Sequence, residues 1–173
     1  MLTKGYTHKV LTEFKKYVVK QARTNLSKGK KNVNGKLYKS IDGDVEVGKT
    51  SFSLSFVMED YGVFQDKGVS GTKKKYNTPY SYTTKMPPPS KLDKWTVKKG
   101  IAPRDDKGRF ISRKSLQFAI ARSIFYKGIK PSLFFTTPFQ KYAKGLPKEL
   151  ETAFALDTEA LLAFVTKQQL NNK

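Results

Sequence analysis

The chain has 173 residues, of which 34 are Lys or Arg and 14 are Asp or Glu, giving a formal net charge of +20. It has no cysteine and one histidine, which excludes disulfide frameworks, thiolate chemistry and His/Cys metal sites. So large a charge repels itself and calls for an anionic partner: nucleic acid, an acidic protein surface or an anionic membrane.

The length sets an expectation of one domain over 1–173. With 38% apolar and 13% aromatic residues, the expected core is modest and carried largely by rings, each of which buries roughly 150–250 Å². No stretch approaches the ~20 apolar residues of a membrane span, so no membrane partner is expected. Lys9, Lys15, Lys16 and Lys20 interrupt any leading apolar run, so a signal peptide is not expected either.

Residues Tyr6 to Leu26 have the period of an amphipathic helix, with Val10, Leu11, Phe14, Tyr17 and Val18 at spacings of three and four. Lys9, Lys15, Lys16, Lys20 and Arg23 take its other face, and Thr3 or Thr7 caps its start. Ser27 to Gly35 is a basic, turn-rich linker, and Leu37, Tyr38 and Ile41 form a short apolar cluster at helical spacing. Asp42-Gly43-Asp44 then introduces a hairpin that turns at Gly48-Lys49. Phe52, Leu54, Phe56 and Met58 alternate with serines, which is the period of a strand with one buried face. Tyr61 to Phe64 adds either a short strand or a bend.

Gly68 to Pro89 reads as a long extended loop, because Pro79, Pro87, Pro88 and Pro89 forbid a helix. Its length is itself a functional signal. Ser90 caps a short helix bearing Leu92, Trp95 and Val97 that ends at Gly100. After a loop, Ser112 or Ser115 starts a helix with Leu116, Ala119, Ile120 and Ile124, stopped by Gly128. Pro138 falls in the first turn of a helix through Lys144, Pro147 opens another, and Asp157 caps the last, so that C-terminal helices cover about 138–168.

Signals of catalysis are poor. His8 lies near the start of the first helix and reads as a surface residue, so a Ser-His-Asp arrangement would rest on it alone. Asp42, Asp44, Asp105 and Asp106 stand in turns, where aspartate makes local hydrogen bonds. Glu46 and Lys49 do not have the spacing of a metal-dependent nuclease core on one strand face. The run Gly68 to Lys73 lacks the glycine–lysine–Ser/Thr order of a phosphate loop. We therefore expect neither an enzyme nor a cofactor or metal. The loop does carry a candidate contact surface in Lys73, Lys74, Lys75, Tyr76, Tyr80, Tyr82 and Lys85. Cations interleaved with aromatics suit phosphate contact with stacking, and equally a protein interface with Tyr anchors and Lys rims. Trp95 reads as a packing anchor for its short helix.

The order of these features resembles the neck, or tail-completion, proteins of tailed bacteriophages, and in particular versions from short-tailed phages of the crAss-like group. The likeness is carried by the Tyr61-Gly62-x-Phe64-x-x-x-Gly68 segment, the basic loop, the proline-led Trp helix from Pro87 to Trp95, Lys107-Gly108-Arg109-Phe110, Lys127-Gly128-Ile129 and Phe134-Phe135-x-x-Pro138-Phe139. Asp66-Lys67-Gly68 stands where that family often has Glu-Phe-Gly. The resemblance, over most of residues 5 to 165, implies an α+β fold: a small antiparallel sheet with packed N-terminal and C-terminal helices and a long arm at about 68–89. It further implies a cyclic homo-oligomer of twelve or six copies between portal or adaptor and tail proteins, assembled in the host cytoplasm and resident in the virion. The alternative left open by the residues themselves is a sequence-independent nucleic-acid-binding protein.

Overall fold

The computed structural model describes residues 5–29, 34–48, 51–102 and 104–171. Thr3, linker residues 30–33, the turn residues Lys49 and Thr50, and Pro103 lie outside them. The fold is α+β: among the described residues there are seven α-helices and one two-stranded antiparallel sheet, with packed N- and C-terminal helices. Where length alone sets an expectation of one domain, the internal contacts gather into two compact units. The first comprises the described residues of Met1–Asn25, Tyr38–Met58 and Phe134–Lys173, and the second those of Leu26–Leu37 and Glu59–Leu133.

The first unit is built on α1 (Tyr6–Lys28), whose last turn belongs to the second. Leu11, Phe14, Val18 and Ala22 recur at three or four residues and are all buried, while the lysines keep the other face in water. The single turn α2 (Lys36–Ser40) leads to β1 (Asp42–Val47) and β2 (Phe52–Val57). The strands pair in a register that runs from Asp42 opposite Val57 to Val47 opposite Phe52. Phe52, Leu54 and Phe56 are half-buried and the residues between them exposed, so the alternation seen in the sequence marks a real inner face. Arg23 ties this hairpin to α1, donating from Nη2 to the Ile41 carbonyl at 2.9 Å. After Phe134, α6 (Thr136–Ala143) and α7 (Leu146–Asn171) complete the unit.

Rings fill its centre. Phe14 lies 5.4 Å from Phe139, 5.1 Å from Tyr142 and 6.0 Å from Phe56 between centroids. Phe56 in turn meets Phe135 edge-on at 5.3 Å. One residue from a helix, one from a strand and three from the Phe134–Tyr142 stretch thus share one cluster, each pair adding about 0.5–1.5 kcal/mol beyond its area.

The start of α1 is capped from a distance. Neither Thr3 nor Thr7 serves as the expected cap: Thr3 lies outside the described residues and Thr7 is inside the helix. The cap position is Gly5, which has no side chain to offer, and Asp157 takes over. Its carboxylate accepts from the backbone N–H of Tyr6 at 2.7 Å and of Thr7 at 2.9 Å. A Cβ on Gly5 would collide with that carboxylate, so the glycine makes room for it. Asp157 therefore does not begin a last helix, as its position in the sequence led us to expect. Pro147 sits in the first turn of α7, which continues through Asp157 without a break.

In the second unit, Tyr61–Lys67 forms helix α3, correcting the expectation of a strand or bend. Four residues are too few for their period to decide between the two. A 3-10 turn at Pro89–Leu92 leads into α4 (Asp93–Lys98), and α5 (Arg113–Lys127) follows. The expected Ser90 cap is not made: the start of α4 has no side-chain cap, and Ser90 lies within the 3-10 turn. Ser112 does cap α5, its hydroxyl accepting from the Ser115 N–H at 3.2 Å. Gly128 ends α5 at φ +72.

Asp157→Ala should remove the cap of α1 and cost about 1 kcal/mol, the usual value of a helix N-cap. Burial alone would raise the pKa of this carboxyl, but the hydrogen bonds from Thr7 and Tyr6 outweigh that and hold it below the ordinary carboxylate range. A depressed folded-state pKa contributes stability above the unfolded value and loses it as the pH falls through the folded one. Denaturant melts of both proteins should thus differ at neutral pH and converge in strong acid; a gap that persists there would contradict the capping role.

Candidate functional site

The basic loop after α3 is anchored along its first half. Val69 exchanges both backbone hydrogen bonds with Ile129, at 2.9 and 2.8 Å. The N–H groups of Thr72, Lys73 and Lys74 donate to the carbonyls of Phe125 and Tyr126 at the end of α5. Ser70 holds the loop closed on itself: its N–H donates to the Tyr80 carbonyl, its carbonyl accepts from Tyr82, and its hydroxyl accepts from the Tyr76 N–H. The residue type at 71 follows from this docking, because a Cβ on Gly71 would overlap the Tyr126 carbonyl oxygen. Residues 69–82 are therefore not a free arm. They are non-helical, as the prolines require, but their backbone is satisfied within the second unit.

This anchoring sorts the candidate residues. Tyr76, Tyr80 and Tyr82 are half-buried; Lys73, Lys74, Lys75 and Lys85 are exposed. Tyr80 packs edge-on against Phe64 at 4.7 Å, and Tyr82 lies 6.3 Å from Phe125, where burial pushes its hydroxyl pKa up. Lys73 places its ammonium 4.8 Å from the centroid of Tyr126, and Arg122 lies 5.5 Å from the same ring. Such cation–π contacts contribute about 0.5–1 kcal/mol each at exposed sites. Tyr126 was not among the residues singled out from the sequence. The signal was the spacing Arg122–Tyr126, one helical turn, which puts both on one face.

Tyr61, Phe64, Gln65, Pro79, Tyr80 and Tyr82 line an open cleft of about 660 Å³, and the Gln65 Nε2 is buried without a hydrogen-bond partner. The structure thus brings Tyr80 and Tyr82 together around one cleft and Lys73 beside Tyr126. No contact links Lys85 or Trp95 to either group. Trp95 is not the anchor of its helix: it is 38% exposed, whereas its neighbour Thr96 is 2% exposed and donates to the Asp93 carbonyl at 2.8 Å. On so short a helix only one residue faces inward, and the small Thr occupies that place.

Charge is divided unevenly. The sequence segments of the second unit hold 21 Lys and Arg against six Asp and Glu, so this unit carries most of the +20. Among the described residues no group of three or more His, Asp or Glu is placed to hold a metal ion, and no helix is long and apolar enough to cross a membrane. Arg104 stacks on Phe110 at 3.9 Å, and Asp105 closes the turn between them by accepting from the N–H groups of Lys107 and Arg109. Phe110 is nonetheless 67% exposed. No protein-family model, curated protein or solved structure matches the chain.

Hydrogen exchange on the isolated chain should find the amides of Val69 to Lys74 and of Tyr82 protected, with Lys85 exchanging fast. Gly71→Ala should abolish that protection and lower stability, because the colliding atom is backbone and has little room to give. Fast exchange throughout 69–82 in the native protein would show that the loop is not docked.

Proposed function

We propose that the chain is a structural virion protein that forms a ring in the neck of a tailed phage, between portal and tail, and completes the DNA conduit there. One observation carries the reading: the chain exposes twice as many large apolar side chains as it buries. Nine buried apolar residues larger than alanine stand against eighteen exposed ones among the described residues. Isolated exposed apolar residues are ordinary, but a surplus of this kind marks surface intended for a neighbour. The resemblance noted in the sequence supports the same reading, because its segments sit at structural junctions. Lys127-Gly128-Ile129 receives the docked loop, and Phe134-Phe135-x-x-Pro138-Phe139 supplies much of the aromatic cluster.

A ring subunit needs no reaction centre, and what it does is geometric. It presents one surface to the next copy, one to the portal or adaptor, one to the tail, and one to the conduit. The strongly basic second unit favours anionic contact, and we assign it mainly to acidic protein neighbours with DNA as a secondary partner. That same charge is what favours a second reading, sequence-independent binding of nucleic acid, through lysines spread over linker, loop and helices and not gathered on one base-reading element.

Quantitative mass spectrometry of purified particles should find the chain in a fixed ratio of twelve or six copies per portal ring; particles that lack it would sink the proposal. The purified chain should bind two unrelated DNA duplexes equally and weakly, with affinity falling by orders of magnitude between low and moderate salt. A marked preference for one duplex that survives high salt would move the nucleic-acid reading ahead.

A further inference from the structure

The second half of α7 has no covering element. Every residue from 158 to 169 is exposed, including Leu161, Leu162, Phe164 and Val165. Phe154, Leu161 and Val165 fall at spacings of seven and four, one above another on the same side of the helix, and Leu162 widens the stripe. Such a stripe on a helix is ordinarily its core-facing side, yet here it meets nothing. The helix is also acidic in an otherwise basic protein: Glu149, Glu151, Asp157 and Glu159 outnumber Lys148 and Lys167.

The second unit carries the complementary surface. Between α4 and α5 lies a groove of about 330 Å³ lined by Val97, Ile101, Phe110, Ile111 and Leu116. Arg113 is part of its wall, and the Arg104 guanidinium covers the Phe110 ring. Apolar side chains exposed along a groove with cationic edges are what an amphipathic helix with acidic flanks fits, in the helix-in-groove mode of recognition. Opposite charges on the two faces add orientation and speed of encounter.

We propose that the exposed stripe of α7 in one copy docks in the α4–α5 groove of the next copy, and that this contact links the ring. The inference rests on the ring reading in requiring a second copy, and charge identifies that copy as the occupant: the basic groove finds its acidic helix in the same sequence. The contact is heterologous, joining two different surfaces, so each copy has one free helix and one free groove and the chain propagates until it closes. The stripe covers twelve residues, about 18 Å of helix at 1.5 Å per residue, so each contact is small. A single contact is weak, and closure sums many.

Two variants test this together. Leu161→Asp with Val165→Asp disables the helix and leaves the groove; Val97→Asp with Phe110→Asp does the reverse. All four residues are exposed, so the fold should survive. In sedimentation at hundreds of micromolar, wild-type chain should associate beyond the dimer, and each variant alone should be monomeric. An equimolar mixture should form a one-to-one dimer that grows no further, because only one helix and one groove remain competent. If the mixture stays monomeric, or if the helix variant associates alone, the proposal is overturned.

A measurement without substitutions backs this up. Zero-length cross-linking of mixed light and heavy-isotope chains should join Glu151 or Glu159 of one copy to Lys98 or Lys99 of another; links confined to single copies would overturn the proposal. Loss of these contacts with the chain still in a fixed ratio in particles would remove this interface and leave the ring reading standing. Association as described with the chain absent from particles would do the opposite.

Discussion

The limiting constraint on this chain is the amount of apolar surface it can cover by itself. One aromatic cluster around Phe14 and Phe56 closes the first unit, and the second relies largely on backbone hydrogen bonding between its loop and the end of α5. Much of what remains is left in water, on α7 and along the α4–α5 groove. Burial of apolar area, at roughly 25 cal/mol per Å², is the largest favourable term available to a chain of this size. A protein that leaves so much of it unused is stable enough to fold and has driving force in reserve for association.

Charge acts in the opposite sense and sets when association happens. A surplus of fifteen positive charges in the second unit keeps free chains apart and soluble. The acidic α7 reverses the sign locally. Attraction between copies is therefore confined to one pair of surfaces, while everywhere else like charges meet. Such an arrangement resists random aggregation despite the exposed apolar residues, because the misaligned contacts are the repulsive ones.

Much of the architecture was legible in the sequence, for identifiable reasons. The 3.6-residue period of α1 and the alternation of β2 are strong because each element has one buried face. The Ser112 cap and the Gly128 stop of α5 are local devices that need no tertiary context. What stayed hidden was non-local. Asp157 reads as a helix start because aspartate favours that place, but here it serves the start of a different helix, 150 residues away in sequence. Thr96 and not Trp95 is buried, a choice made by which side of a six-residue helix meets α5. The loop 69–82 reads as a free arm because lysines and prolines suit solvent. Its docking depends on backbone groups and on Gly71, which composition does not display. The exposed stripe of α7 has the same pattern in sequence as a core-facing one, and only the structure shows that it is bare.

The central claim, that neighbouring copies cover the surface this chain leaves open, is tested most directly by electron-microscopic reconstruction of the neck from intact particles. The account predicts a closed ring of identical copies in which the second half of each α7 is covered by the next subunit. A neck in which the chain is present as single, unconnected copies, with α7 still exposed to solvent, would contradict it.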